Sequence, residues 1–270
     1  MTAGLEVVDR GSGTPVVLVH GVGGSAATSF ASALPALARH HRVLAVDLPG
    51  SGPGAMPPEP AGGWTADRVA DAIATAVRSR VDVPVLMLGH SLGASLAART
   101  AVRHPGLASG VVLAAASLER DARSLLTTRL WRRLLEVDRT ALGQYLVMTT
   151  SSPSWLNQLR EQDLDDLAGL AADLVPDGTA LQLDLAEQSD LAADLALLDV
   201  PVTVVLGDED PLAHVDPWRR ATARAGLESL VWSGGHDVLA HHPHELAALV
   251  RRLAAPTATD QITDPLRRIP

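Results

Sequence analysis

The stretch Gly89-His90-Ser91-Leu92-Gly93 constrains this chain more than any other. It follows the apolar run Pro84-Val85-Leu86-Met87-Leu88 and precedes Ala94-Ser95-Leu96-Ala97-Ala98-Arg99-Thr100-Ala101, whose small and straight-chain residues suit a helix. A serine is therefore expected at a strand-to-helix turn. Such a turn strains the backbone of its central residue, and glycines two residues either side remove β-carbons that would collide. Ser91 Oγ should then stand clear of the sheet, with the backbone N–H of Leu92 aimed at the space in front of it. The five-residue pattern by itself is weak in a Gly-rich chain. Its setting between strand and helix gives it meaning.

Three further loops bear on the same chemistry. Pro15-Val16-Val17-Leu18-Val19 reads as a strand covered on both faces and ends in His20-Gly21-Val22-Gly23-Gly24-Ser25. The N–H of Val22 is a candidate second donor, beside that of Leu92, for an acyl-transfer oxyanion; the plainer reading is a Gly-rich turn. A phosphate-cradling role is disfavoured, since neither Gly-x-Gly-x-x-Gly nor a Walker pattern with its Lys is present. The run 200–206 reads as a strand ending in Gly207-Asp208-Glu209-Asp210-Pro211, on the side of an open α/β sheet where ligands bind. Asp210 is the candidate acid, with Asp208 and Glu209 near enough to compete. Ser229-Leu230-Val231-Trp232 is the last expected strand, and Ser233-Gly234-Gly235 leads into His236. Ser91, Asp210 and His236 thus each follow a strand. His236 would take the Ser91 proton through Nε2 while Asp210 holds the imidazole by its Nδ1–H.

The rest of the chain supplies the frame. Leu5 to Val8 reads as an edge strand, and residues 11–15 as a hairpin turn after it. A helix is expected over Ser29 to Arg39, with Pro35 in its first turn or kinking it. Arg42 to Val46 is the next strand, and Asp47 after it reads as an Asx-type turn fixing its own loop rather than as a catalytic acid. A Pro- and Gly-rich connector spans residues 53–63, and Thr65 caps a helix carrying Val69, Ile73 and Val77 on one face. Gly110 to Ala116 is a further buried strand. Strands alternating with helices argue a parallel sheet with right-handed crossovers. From Ser117 to Leu198 the pattern turns helical, over 122–136, 161–174 and 178–191, which is most simply a cap over the site. Its Trp131, Tyr145, Met148 and Trp155 are candidates for the pocket wall but read more readily as core. Helices are expected over 217–225 and 243–253. The expected division is a core of residues 1–117 and 199–254, a cap of 118–198, and a tail of 255–270.

Composition narrows the function classes. The chain of 270 residues has a formal net charge of −9, and all 22 of its basic residues are Arg, which reads as coding bias rather than a nucleic-acid surface. The absence of cysteine rules out disulfides and thiol catalysis. The start lacks a basic region followed by an apolar one, and no apolar run approaches membrane-spanning length, so a soluble, cytoplasmic protein is expected. Among the ten histidines, His40, His41, His104 and His214 are expected on helix ends or loops, and His90 is expected to point away from the site. His241, His242 and His244 lack the helical His spacing of a zinc site and read as a solvated face. No metal, nucleotide or flavin is called for, and oligomeric state is not legible.

Together these residues resemble the α/β-hydrolase superfamily, in its capped, serine-nucleophile, esterase- and lactonase-like branch. The likeness rests on His20-Gly21, Asp47-Leu48-Pro49-Gly50, Gly89-His90-Ser91-Leu92-Gly93, Gly207-x-x-Asp210 and Gly235-His236, in that order, and spans roughly residues 5–253. It implies a mostly parallel sheet flanked by helices, with a helical cap inserted after the sixth strand of the fold. It also implies Ser91, Asp210 and His236 as the catalytic triad, with the N–H groups of Val22 and Leu92 as the oxyanion hole. Phe30 stands where many relatives carry Trp, and Ser51 where the turn often carries His. The expectation is a cofactor-independent serine hydrolase of a carboxylic ester, lactone or thioester of a small to medium apolar compound. Fold does not fix reaction, and the same triad serves carbon–carbon hydrolases, lyases and cyclases. A ligand receptor without turnover is the remaining reading.

Overall fold

The computed structural model describes residues 4–52 and 58–254; the tail expected over 255–270 and part of the connector lie outside them. Among the described residues seven strands form one sheet: β1 (Val7–Arg10), β2 (Thr14–Val19), β3 (His41–Val46), β4 (Val85–His90), β5 (Ala108–Ala114), β6 (Val202–Gly207) and β7 (Glu228–Trp232). Their order is β1-β3-β2-β4-β5-β6-β7. Only β1 runs antiparallel to its neighbour. The turn after β1 is not the expected hairpin, because β3 lies between β1 and β2. Gly11 and Gly13, with φ of +77° and +102°, carry the chain across the start of β3. A methyl at Gly11 would overlap the carbonyls of Ala38 and His41.

The central strands are continuous apolar runs because both faces are covered. Val17 and Val19 of β2 face one core, with Leu44, Val46, Met87, Leu113 and Leu206. Their neighbours Val16 and Leu18 face the other, with Val43, Ala45, Leu86, Leu88 and Val112. The second core is closed by the short helices α1 (Ala26–Ser29) and α2 (Leu34–Leu37) and by the C-terminal helices. The single helix expected over 29–39 is thus two fragments. Pro35 in the first turn of α2 has no N–H to continue from α1, and the N–H groups of Ala33 and Leu34 both fold back on the Phe30 carbonyl. The first core is closed by α3 (Ala66–Arg78), capped by Thr65 as expected, and by α4 (Leu92–Arg103).

Between β5 and β6 lie only helices: α5 (Ala122–Val137), α6 (Arg139–Thr150), α7 (Pro153–Leu156), α8 (Glu161–Leu174), α9 (Thr179–Gln188) and α10 (Leu191–Leu195). The helix expected over 178–191 is split, since Asp190 caps α10 by accepting the Ala193 N–H. Counted among the described residues, this insert follows the fifth of seven strands. The insert has a small core of its own, built on Trp131, Leu142, Tyr145, Leu146, Val175 and Leu183. The helices described after β6 are α11 (Val215–Ala225), α12 (Val238–His241) and α13 (Pro243–Leu253). No helix among the described residues is long and apolar enough to cross a membrane.

Trp218 of α11 is fully buried, and its indole Nε1–H donates to the Ala116 carbonyl at 2.6 Å, tying α11 to the loop just past β5. Trp218→Phe leaves that buried carbonyl without its donor. The expected cost is about 1–3 kcal/mol, read as a lower urea midpoint with an unchanged slope.

Candidate active site

Ser91 sits between β4 and α4 with φ +56° and ψ −122°, a conformation that residues with a β-carbon rarely adopt. The flanking glycines are required by contact. A methyl at Gly89 would overlap the Gly93 carbonyl, and one at Gly93 would overlap the carbonyl of Val19 on β2. Close approach of α4 to β2 and β4 thus forces the turn, and the Ser91 N–H donates to the Ala114 carbonyl at 2.8 Å to hold it.

The loops after β6 and β7 bring the other two residues to it. His236 Nε2 lies 2.9 Å from Ser91 Oγ, and Nδ1 lies 2.9 and 3.1 Å from the two oxygens of Asp210. Asp210 Oδ1 also accepts the N–H groups of Leu212 and Ala213, at 2.7 and 2.9 Å. Burial pushes the Asp210 carboxyl up, but attraction to His236, its hydrogen bond and these backbone donors outweigh burial and bring it below the ordinary 3.8. Burial likewise pulls the His236 imidazole down, and Asp210 reverses this, leaving it above the ordinary 6.5. Facing the Asp210 carboxylate, Nδ1 carries a proton, and in the neutral ring Nε2 is the acceptor that faces Ser91 Oγ. The competing carboxylates point elsewhere. Asp208 accepts the Gly234 N–H at 2.9 Å, and Glu209 accepts the N–H and hydroxyl of Ser154 at 3.0 and 2.6 Å.

Val22 and Leu92 line the same cavity as Ser91 and His236. Among the described residues neither backbone N–H meets a protein acceptor. The Val22 loop is held by buried polar groups. His20 donates from Nδ1 to the Gly21 carbonyl at 2.8 Å and accepts the Leu48 N–H on Nε2 at 3.0 Å. Burial pulls its pKa down to about 4, so the ring is neutral and its 3.8 Å approach to Asp47 is not an ion pair. Asp47 does not form the expected local Asx turn. Its Oδ1 accepts the Ala26 N–H at 2.7 Å, so it braces the neighbouring loop instead of its own.

His90 also departs from expectation. Its ring lies 5.1 Å from that of His236, lines the cavity, and donates from Nε2 to the His236 carbonyl at 2.8 Å. Burial, with the charge of His236 adding to it, pulls His90 down to about 4, which keeps it neutral beside the base. His41 is no loop residue either: it opens β3, with its ring buried. Of the cluster at the end of α12, His241 pairs with Asp237 at 3.1 Å and His242 donates to the Ser233 carbonyl at 2.7 Å. Among the described residues no group of three or more His, Asp or Glu converges as a metal site.

The cavity over Ser91 measures about 740 Å³ and is walled by the insert through Leu125, Thr128, Trp131, Leu146 and Leu183. Trp131 serves both as insert core and as wall. Tyr145 packs edge-on against it as core, whereas Met148 is 60% exposed and belongs to neither. Three residues hold the site in roles not assigned from sequence: Gln182, which bonds Gly23; His90, as above; and Glu209, named only as a competing acid, which ties the acid loop to Ser154. Their partners lie 55 to 159 residues away, and no local pattern announces such pairs.

Known proteins share this arrangement of chain. The sequence is 28% identical over 247 residues to pyrrolizixenacetamide deacetylase of Xenorhabdus hominickii, covering 89% of this chain and 91% of the relative. It is 31% identical over 249 residues to a pimeloyl-[acyl-carrier protein] methyl ester esterase of Neisseria meningitidis, covering 87% and 91%. The enol-lactonase of Burkholderia xenovorans superposes with a TM-score of 0.77 over 93% of this chain and 96% of its own, at 17% identity, a likeness of fold alone. A family model described as the alpha/beta hydrolase family matches residues 16–249. With that span matched, and with one sheet in the order above carrying a strained serine past its fourth strand, the chain belongs to the alpha/beta hydrolase family.

Proposed function

We propose that this protein is a serine hydrolase that cleaves a carboxylic ester, lactone or thioester of a small to medium compound through an acyl-enzyme on Ser91. The observation that carries this is one constellation: Ser91 Oγ at 2.9 Å from His236 Nε2, Nδ1 held by Asp210, and two unengaged N–H groups in the same cavity. In this reading Ser91 Oγ attacks the substrate carbonyl carbon as its proton passes to His236 Nε2, and Asp210 stabilises the imidazolium. The N–H groups of Val22 and Leu92 donate hydrogen bonds to the oxygen on which negative charge develops, as an oxyanion hole, where donors in a water-poor site act most strongly. The Nε2–H then protonates the leaving oxygen or sulfur, and His236 activates a water that releases the acid. The helices between β5 and β6 act as the cap, whose cavity of about 740 Å³ suits a small or medium substrate. Relatives whose names read deacetylase and methyl ester esterase support acyl transfer as the reaction class.

Two tests follow from these roles. Ser91→Ala, folded as judged by circular dichroism, is expected to lower kcat on p-nitrophenyl esters by about three orders of magnitude or more and to abolish fluorophosphonate labelling. Labelling of Ser91 without turnover of any ester would shift the reading to a carbon–carbon hydrolase, lyase or cyclase on the same triad. Second, the free base form of His236 is required, and its pKa stands above 6.5 because of Asp210. Activity is therefore full above that raised value and falls as pH drops through it. The acid limb of kcat/KM should lie above 6.5 in the wild type and shift to lower pH in Asp210→Asn, with kcat reduced about a thousandfold or more. A limb that does not move would remove Asp210 from the scheme.

A further inference from the structure

Gln182 on α9 has no part in the chemistry just described, yet it is fully buried and both ends of its amide are engaged. Its Oε1 accepts the N–H of Gly23 at 2.8 Å, and its Nε2 donates to Ser51 Oγ at 2.6 Å. The orientation is dictated, because a flipped amide would set a donor against the Gly23 N–H. Gly23 and Ser51 belong to the loops after β2 and β3, so this one side chain joins the helical insert to two loops of the sheet.

Gly23 directly follows Val22. With its N–H fixed, the peptide plane between the two residues is fixed, and rotation about Val22 is restrained. The α-carbon of Gly23, at φ +74°, lies against the Trp131 indole from α5, where a methyl would come within 2.8 Å of Cζ2. On the other side of Val22, a methyl at Gly21 would come within 2.9 Å of the Ser91 β-carbon. The start of α9 is seated directly on the β3 loop: the Gly178 N–H donates to the Gly50 carbonyl at 3.1 Å, with no room for a side chain at 178. The loop bearing Val22 is therefore gripped by the insert at Gly23 and by Ser91 at Gly21.

We propose that Gln182 is a positioning residue for the reaction: it keeps the Val22 N–H aimed at the oxyanion, and so makes seating of the helical insert a condition of catalysis. The inference rests on the serine-hydrolase reading above. Ser51 is the acceptor that anchors the Gln182 amide. With α9 lifted off the loops after β2 and β3, the cavity would open and Ser91 stay poised, but the oxyanion donor would be loose.

The test uses Gln182→Leu, which keeps bulk without hydrogen bonds, and Ser51→Ala. Each is compared with wild type for ester turnover and for binding of two ketones of equal chain length. A trifluoromethyl ketone adds Ser91 Oγ to its carbonyl carbon, passing the serine proton to His236 and leaving an oxyanion; the methyl ketone binds without adding. The expected result for Gln182→Leu is kcat lower by about tenfold or more, KM within about threefold, and the trifluoromethyl ketone weakened by the same factor as kcat. Methyl ketone binding should stay within about twofold. Ser51→Ala should shift the same readouts by less, and the double variant should be no worse than Gln182→Leu alone, since the two act in series. Unchanged kcat, a loss confined to KM, or equal weakening of both ketones would overturn the proposal and leave Gln182 as wall. If Gln182→Leu fails to fold, Ser51→Ala with the same ketone pair decides. A wild type that neither adds to the trifluoromethyl ketone nor turns over esters would count against the serine-hydrolase reading itself.

Discussion

At Ser91 the chain holds φ at +56° on a residue with a β-carbon, which costs about 1–3 kcal/mol, and the surrounding structure keeps it there. α4 approaches β2 and β4 so closely that only glycine fits at positions 89 and 93, and the Ser91 N–H is held by the Ala114 carbonyl. The strain is sustained by burial on both faces of the sheet, since Leu18 and Leu88 on one side and Val17 and Met87 on the other are all excluded from solvent. A serine so placed projects beyond the strand ends. Every other feature of the site is arranged relative to that one turn.

The loops that meet it are fixed to one another by buried polar contacts rather than by their own local structure. Asp47 reaches the Ala26 N–H, His20 receives the Leu48 N–H, and His90 donates to the carbonyl of His236. The insert adds a second set. Gln182 holds Gly23, Glu209 holds Ser154, and Gly235 packs so tightly on the 150–152 segment that a methyl would come to 2.6 Å from its backbone. The helical segment thus touches the loops of Val22, Asp210 and His236 alike. Burial keeps His20 and His90 neutral, so neither ring adds a positive charge beside the imidazolium that the reaction would form at His236.

Much of this was legible from residues alone, for reasons that differ by element. The strand, elbow and helix around Ser91 follow from an apolar run, two glycines and a helix-forming stretch, all local signals. The order of Ser91, Asp210 and His236, each just past a strand, follows from the periodicity of the flanking segments. What failed was non-local. The turn at Gly11 reads as a hairpin because sequence carries no sign that β3 will pass between β1 and β2. Asp47 reads as a local turn because its true partner, the Ala26 N–H, lies on another loop. His90 reads as pointing away because nothing nearby reveals that the carbonyl of His236 will come within 2.8 Å. Gln182 is unremarkable among the polar residues of an amphipathic helix until α9 is seated on the β3 loop.

In the proposed reaction, two backbone N–H groups, held in advance by the elbow and the 21–24 loop, donate hydrogen bonds to the substrate oxygen on which charge develops. A crystal structure of the protein after reaction with a fluorophosphonate tests it most directly. The account predicts phosphorus bonded to Ser91 Oγ, with one phosphoryl oxygen within hydrogen-bonding distance of both the Val22 and the Leu92 N–H, about 2.7–3.1 Å from each nitrogen. Phosphorus on another residue, or an oxygen turned away from both N–H groups with His236 still at Ser91, would contradict it.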